Sequence, residues 1–62
     1  MLQDTRLKVA RINKGLSQRD VAQTLGVSEH LVSKWETRRL IPSPDRQRQI
    51  AQLLGVPRYE VF

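Results

Sequence analysis

The segment LSQRDVAQTLGVSEHLVSKWE, residues 16–36, decides the fold of this 62-residue chain. It holds two short stretches in which apolar residues recur at helical spacing, and a serine leads each stretch. In the first stretch Ser17 is the predicted N-cap, and Asp20, three residues later, can complete a capping box. One narrow face of this helix carries its apolar residues, which are Val21, Ala22 and Leu25.

The second stretch predicts a helix of a different kind. Gly26 ends the first helix in a left-handed conformation, and Ser28 caps the next one. Val32 and Trp35 form its buried side, with Leu31 at the edge. The opposite arc has no apolar side chain and consists of hydrogen-bonding groups: Glu29, His30, Ser33, Lys34 and Thr37. Two short helices joined by a tight glycine turn, the second with a polar face, indicate a helix-turn-helix.

Helices are also predicted on both sides of this unit. Before it, a helix over about residues 2–13 places Leu7, Ala10 and Arg11 on one face, flanked by Leu2 and Val9. An arginine on an apolar face requires a partner. After it, Ser43 as N-cap, Pro44 and Asp45 begin a fourth helix. The apolar face of this helix consists of Ile50, Ala51 and Leu54, and Gln47 lies on the same face. A last short helix is predicted in PRYEVF. We therefore predict one all-α domain, residues 1–62, with five short helices.

Composition excludes several classes of function. Eleven Lys and Arg against six Asp and Glu give a net charge of +5, which suits a polyanionic partner but also a merely solvated surface. No cysteine occurs, and no apolar run is long enough to span a membrane. The N-terminus lacks a signal-peptide pattern, and we expect a cytoplasmic protein. The single histidine, His30, has no acid–base or ligand partner at a recognisable spacing, so we expect no enzyme, metal, cofactor or small-molecule ligand.

A family resemblance covers nearly the whole chain without gaps. The residues that carry it are Leu7, Arg11, KGLSQ at 14–18, Ala22, LGVS at 25–28, Val32, Trp35, Glu36, PS at 42–43, IAQLLGV at 50–56 and YEVF at 59–62. In this pattern the chain resembles the lambda-repressor-like family of phage repressors, Cro proteins and Xre-type bacterial regulators. The resemblance implies a five-helix domain that binds double-stranded operator DNA, as a dimer on two-fold-related half-sites. It also implies transcriptional regulation, repression rather than activation.

The resemblance assigns roles to particular residues. Arg11 is expected to pair with Glu36 as a structural ion pair, which agrees with the position of Glu36 near the Val32 edge of its helix. With the third helix in the major groove, the predicted base contacts are Ser28, Glu29, His30, Ser33 and Lys34. The predicted phosphate contacts are Gln18, Arg19, Thr37, Arg38 and Arg39. A weak dimer is expected through the C-terminal region, Tyr59, Val61 and Phe62, part of which packs under the first helix.

Some of these assignments have alternatives. Glu29 either accepts a hydrogen bond from cytosine, pairs with a base-contacting cation, or is a first-turn acid favoured by the helix dipole. Arg38 and Arg39 also suit the C-terminal dipole of the preceding helix in any protein.

The chain also departs from the family at two positions. Arg38 stands where the family usually has glycine, so either the third helix continues or Arg38 is left-handed. Gln47 replaces a usual leucine, which indicates a looser or locally hydrated core.

The rival function is a protein-interaction module, such as an antitoxin.

Overall fold

The computed structural model describes residues 6–62, which form five α-helices with no strand among them. The helices are α1 (Arg6–Asn13), α2 (Gln18–Leu25), α3 (Glu29–Glu36), α4 (Pro44–Leu54) and α5 (Arg58–Val61). The predicted all-α fold of five short helices is therefore confirmed. The predicted helix start near residue 2, with Leu2 on its face, lies outside the described residues. Within residues 6–62, every helix is too short or too polar to cross a bilayer.

Serine caps set the starts of three helices, as predicted. The Ser17 hydroxyl accepts the backbone N–H of Asp20 at 3.0 Å, and the Asp20 carboxylate accepts the backbone N–H of Ser17 at 2.9 Å. This reciprocal arrangement is a capping box, and it satisfies two donors that a helix start leaves unpaired. Ser28 and Ser43 cap α3 and α4 through their hydroxyl oxygens. The helix boundaries in the decisive segment are therefore local properties of the sequence.

The capping box makes part of the stability depend on pH. Hydrogen bonds from the backbone N–H and then from the side chain of Ser17 lower the pKa of Asp20 below its ordinary value. A carboxyl with a depressed folded-state pKa contributes stability above its unfolded pKa, and this is lost as the pH falls through the folded pKa. Asp20→Asn should therefore lose less stability than the wild type on acidification below about pH 4. Urea unfolding at a series of acidic pH values checks this, and identical acid slopes would contradict it.

The loop after α3 contains a strained residue. α3 ends at Glu36, Thr37 is its C-cap, and Arg38 has a φ of 61°. Of the two alternatives for this position, the left-handed one is present and the helix does not continue. A non-glycine residue in this conformation costs about 1–2 kcal/mol. The turn leads into Leu40 and Ile41, which are 47% and 56% exposed.

A single apolar core holds the helices together. Ile50 of α4 and Val32 of α3 are its most deeply buried members, at 0% and 1% exposure. α1 contributes Leu7 to the core, and Ala10 packs against it. Val9 was expected to flank this face but is 51% exposed, because α1 buries only a narrow strip against α3 and α5. The predicted stripes of α2 and α4 lie in the core or pack against it.

Gln47 joins α4 to the loop that precedes it. The side chain is half-buried, and its Nε2 donates to the backbone carbonyl of Pro42 at 2.9 Å. The sequence suggested a looser or hydrated core at this position. The structure instead gives this donor a protein partner, and Pro42 itself is buried. The amide therefore fixes the end of the exposed Leu40–Ile41 stretch against α4.

Candidate nucleic-acid interface

The turn between α2 and α3 is short and closed by backbone hydrogen bonds. Gly26 has a φ of 71°, the left-handed region in which a residue without a Cβ is least strained. The backbone N–H groups of Gly26 and Val27 both donate to the carbonyl of Ala22, and these bonds close the end of α2. Ser28 then starts α3 at once. α2 and α3 pack directly on each other, which gives the geometry of a helix-turn-helix.

An arginine from α4 supports the end of α2. Arg46 Nη1 donates to the backbone carbonyl of Leu25 at 3.2 Å and to Gln49 Oε1 at 2.9 Å. The last carbonyls of a helix lack internal hydrogen-bond donors and carry partial negative charge. A guanidinium supplies both a donor and a positive charge. α4 thereby fixes the helix-turn-helix from behind. Nothing in the sequence pattern indicated this contact.

The two sides of α3 differ as the periodicity predicted. Val32 and Trp35 are buried at 1% and 4% exposure, and they anchor the helix on the core. On the other side Glu29, His30 and Lys34 are exposed. Since the anchoring side chains are fixed, the polar side faces solvent at a defined angle. α3 can therefore present hydrogen-bonding groups to a partner without distorting the fold.

Two hydroxyl groups of this region, those of Ser28 and Thr37, are engaged in hydrogen bonds with the backbone of α3. Thr37 Oγ1 donates to the carbonyl of Ser33 at 3.0 Å, and both residues are half-buried. Ser28 is exposed, and its Oγ accepts the N–H of Leu31 at 3.1 Å. The Thr37 hydroxyl proton is thus committed in this conformation, and a phosphate, which only accepts, would require the side chain to rotate. The Ser28 hydroxyl can still donate.

Exposed cations occur at both ends of the helix-turn-helix. Arg19 lies in the first turn of α2, Lys34 in the last turn of α3, and Arg38 and Arg39 in the loop that follows. The backbone N–H of Arg39 donates to the carbonyl of Lys34 at 2.9 Å, which folds this loop back on the end of α3. The loop cations therefore stay beside the polar face of α3. This part of the surface is positively charged and suited to a polyanion.

Arg11 and Glu36 form a buried ion pair. Arg11 Nε donates to Glu36 Oε2 at 2.5 Å, and the two residues are 8% and 4% exposed. Arg11 Nη1 also donates to the backbone carbonyl of Leu16 at 2.8 Å. The guanidinium therefore ties α1 to the segment that enters α2 and to the end of α3. The sequence places Arg11 on the apolar face of α1, where an arginine requires a partner, and Glu36 is that partner.

Gln18 makes a contact that the sequence did not indicate. Its Nε2 donates to Glu36 Oε1 at 3.0 Å, and the side chain is half-buried. Gln18 had been assigned to a phosphate, and one of its two amide hydrogens is committed to Glu36 here. The second hydrogen of the same amide is not used by that bond. Only the packing of α2 on α3 brings these residues together, so no spacing rule could have found the contact.

The C-terminal region divides into a buried part and an exposed part. Tyr59 is 77% exposed, whereas Val61 is 3% exposed and belongs to the core, and Phe62 packs against that core. Val61 is therefore the part of this region that packs under α1, as expected, and Tyr59 and Phe62 are the part left for a dimer surface. The physical reason is the register of α5, which turns Val61 toward α1 and leaves Tyr59 on the outside.

Comparison with known families identifies the class of this chain. The model of the helix-turn-helix domain family matches residues 5–61. The chain belongs to this family. The match spans the polar face of α3, the glycine turn and all five helices, so the geometry described above is that of a family member. A comparison with curated proteins gave no match.

A solved structure resembles nearly the whole chain. It is the crystal structure of a provisionally assigned DNA-binding protein from Bacteroides fragilis. The two sequences are 30% identical, the similarity covers 95% of each chain, and the TM-score is 0.83.

Proposed function

We propose that this chain is a sequence-specific, double-stranded DNA-binding transcription regulator of the lambda-repressor-like, Xre-type group. The observation that carries the proposal is the exposed polar side of α3, which is anchored by Val32 and Trp35 and bordered by exposed cations. A helix with one apolar and one hydrogen-bonding side, presented by a helix-turn-helix, fits the width of the major groove. The description of the Bacteroides fragilis protein as DNA-binding agrees with this proposal.

The proposed reading surface is the polar side of α3 and its first residues. Its members are Ser28, Glu29, His30, Ser33 and Lys34. Lys34 can donate to guanine O6 and N7, and His30, one turn earlier, can donate to a base edge or a phosphate. Glu29 is exposed in the first turn, where it can accept from cytosine or simply complement the helix dipole. Sequence preference would come from this surface.

The proposed phosphate contacts lie around the reading surface. Arg19, Arg38 and Arg39 supply charge, Gln18 supplies an amide N–H, and Thr37 contributes only if its hydroxyl rotates away from Ser33. Phosphate contacts position a protein on the duplex without reading its sequence, and the cations among them release counterions. Binding should therefore weaken steeply with salt.

The proposed biological role is regulation of transcription, as a repressor that occupies its operator. The repressor role is taken from the resemblance to phage repressors and Xre-type regulators, and a cytoplasmic location is proposed with it. The operator is proposed to have two-fold-related half-sites, since dimers of this group bind such sites.

A weak homodimer is proposed through the exposed part of the C-terminal region, with Tyr59 at its centre and Phe62 beside it. Tyrosine gives a large contact area at a small cost in conformational entropy, and a domain this small offers only a small interface. We expect sedimentation at high micromolar concentration to show partial dimerisation, and Tyr59→Ser to abolish it. Ile12→Ser, which changes an exposed apolar residue of α1, is the control. Dimerisation unchanged by Tyr59→Ser would contradict this surface.

A mobility-shift titration tests the proposal against its rival, a protein-interaction module such as an antitoxin. We expect the chain to retard a mixed-sequence duplex at low salt, and added salt to reverse the shift. A protein-interaction module would leave the duplex unshifted. Absence of any complex at low salt would overturn the proposed function.

A further inference from the structure

Gln18 and Glu36 lie at the outer ends of the helix-turn-helix in sequence but meet in space. Gln18 is the first residue of α2, Glu36 is the last residue of α3, and Gln18 Nε2 donates to Glu36 Oε1 at 3.0 Å. The bond therefore joins the helix start proposed to touch the DNA backbone to the helix proposed to read the bases.

The Glu36 carboxylate is held in place by contacts within the protein. Its Oε2 accepts from Arg11 Nε at 2.5 Å, and Arg11 is held in turn by the carbonyl of Leu16 at 2.8 Å. Arg11 Nη2 also approaches Oε1 at 3.5 Å. Glu36 is 4% exposed, so water cannot compete freely for its oxygens. The acceptor that faces Gln18 therefore has a defined position and charge.

The chemistry of the two groups decides how the Gln18 amide is turned. A carboxylate only accepts hydrogen bonds, so the amide must present its NH2 to Glu36 rather than its carbonyl oxygen. The NH2 has two hydrogens, and the bond to Glu36 uses one. A DNA phosphate also only accepts hydrogen bonds, so it would bind the second hydrogen of the NH2 and would be repelled by the carbonyl oxygen.

We propose that Glu36 is a positioning residue for DNA binding, whose carboxylate holds the Gln18 amide with an N–H available to a backbone phosphate. The inference rests on the proposed function and adds a role for a buried residue that does not touch DNA. Without Glu36 the Gln18 amide can rotate by half a turn, about 180°, so that its carbonyl oxygen faces the phosphate for part of the time. The contribution of Gln18 to affinity therefore depends on Glu36. Because glutamine is uncharged, this contribution is independent of counterion release.

The test measures affinity for a mixed-sequence duplex over a range of salt concentrations. Gln18→Leu should weaken binding about 3- to 10-fold, the effect of one hydrogen bond, and leave the salt slope unchanged. Gln23→Leu, on the exposed side of the same helix, is the matched control and should bind as the wild type does.

A second background isolates the role of Glu36. In Arg11→Met/Glu36→Leu, apolar side chains replace the ion pair, a change that cores often tolerate. There Gln18→Leu should weaken binding by less than about twofold, because nothing orients the amide. An equal loss in both backgrounds would show that Glu36 acts only on the fold and would overturn the inference alone. If the wild type binds no duplex, both the proposed function and this inference are wrong.

NMR of the wild-type protein decides the inference even if the doubly substituted protein does not fold. The side-chain NH2 of Gln18 is assigned by its disappearance in Gln18→Leu. We expect one of its protons to be shifted in the free protein by Glu36, and the other to shift on addition of the duplex. Two protons that resemble those of the exposed Gln23 amide in the free protein would overturn the inference.

Discussion

Glu36→Gln should destabilise the domain by about 3–5 kcal/mol, the largest effect that we expect from a single conservative substitution. The change removes the charge that Arg11 faces at 2.5 Å and leaves the guanidinium, in a residue 8% exposed, without a counterion. Small domains are stable by only about 5–15 kcal/mol, so a loss of this size removes much of the margin. Thermal and urea unfolding of the variant measure it.

Two further variants separate the ion pair from the side-chain volume. Arg11→Met should destabilise the protein to a similar degree, because Glu36 is then the unpaired buried charge. The double substitution Arg11→Met/Glu36→Leu should recover most of the loss, since neither charge remains to be desolvated. Changes below about 0.5 kcal/mol in both single variants would mean that the pair does not stabilise the fold.

Lys34→Ala and Arg39→Ala should weaken DNA binding in different ways. Lys34 is exposed in the last turn of α3, on the proposed reading surface, whereas Arg39 lies in the loop beyond it. Lys34→Ala should therefore cost about 1–3 kcal/mol on the best operator and little on random DNA, with relaxed preference at one base pair. Arg39→Ala should weaken both duplexes alike and reduce the salt slope by about one unit.

Titrations of both variants on operator and scrambled duplex, at several salt concentrations, give these quantities. Lys8→Ala is a suitable control, because Lys8 is an exposed cation of α1, outside the proposed interface. Equal losses for Lys34→Ala on operator and scrambled duplex would identify it as a phosphate contact. The reading surface would then be misplaced.

The features of this fold that depend on neighbouring residues could be predicted from the sequence. Ser17 and Asp20 form a capping box because three residues separate them in any helix start. Gly26 ends α2 because a left-handed residue is required there. Val32 and Trp35 are buried because they share one side of a 3.6-residue period. Each of these outcomes follows from backbone geometry that operates over a single turn.

The features that depend on packing between helices could not be predicted in the same way. The Gln18–Glu36 bond spans 18 residues and exists only because α2 rests on α3. Val9 is exposed because contact with α3 and α5 buries only one narrow strip of α1, and the sequence left open which C-terminal residue packs under α1, a position that Val61 takes. For Arg38, the sequence left two backbone conformations open, and the return of the loop onto α3 selects the left-handed one. Sequence periodicity identifies the sides of a helix but not the neighbour that each side meets.

Selection of bound duplexes from a random-sequence pool tests the central claim most directly. If α3 reads the major groove, successive rounds should enrich one motif, and a dimer should enrich it as two inverted half-sites about one helical turn, 10–10.5 base pairs, apart. A Lys34→Ala protein carried through the same selection should lose preference at one position of each half-site. A bound pool that stays random in sequence, or a protein that retains no DNA at low salt, would contradict the account.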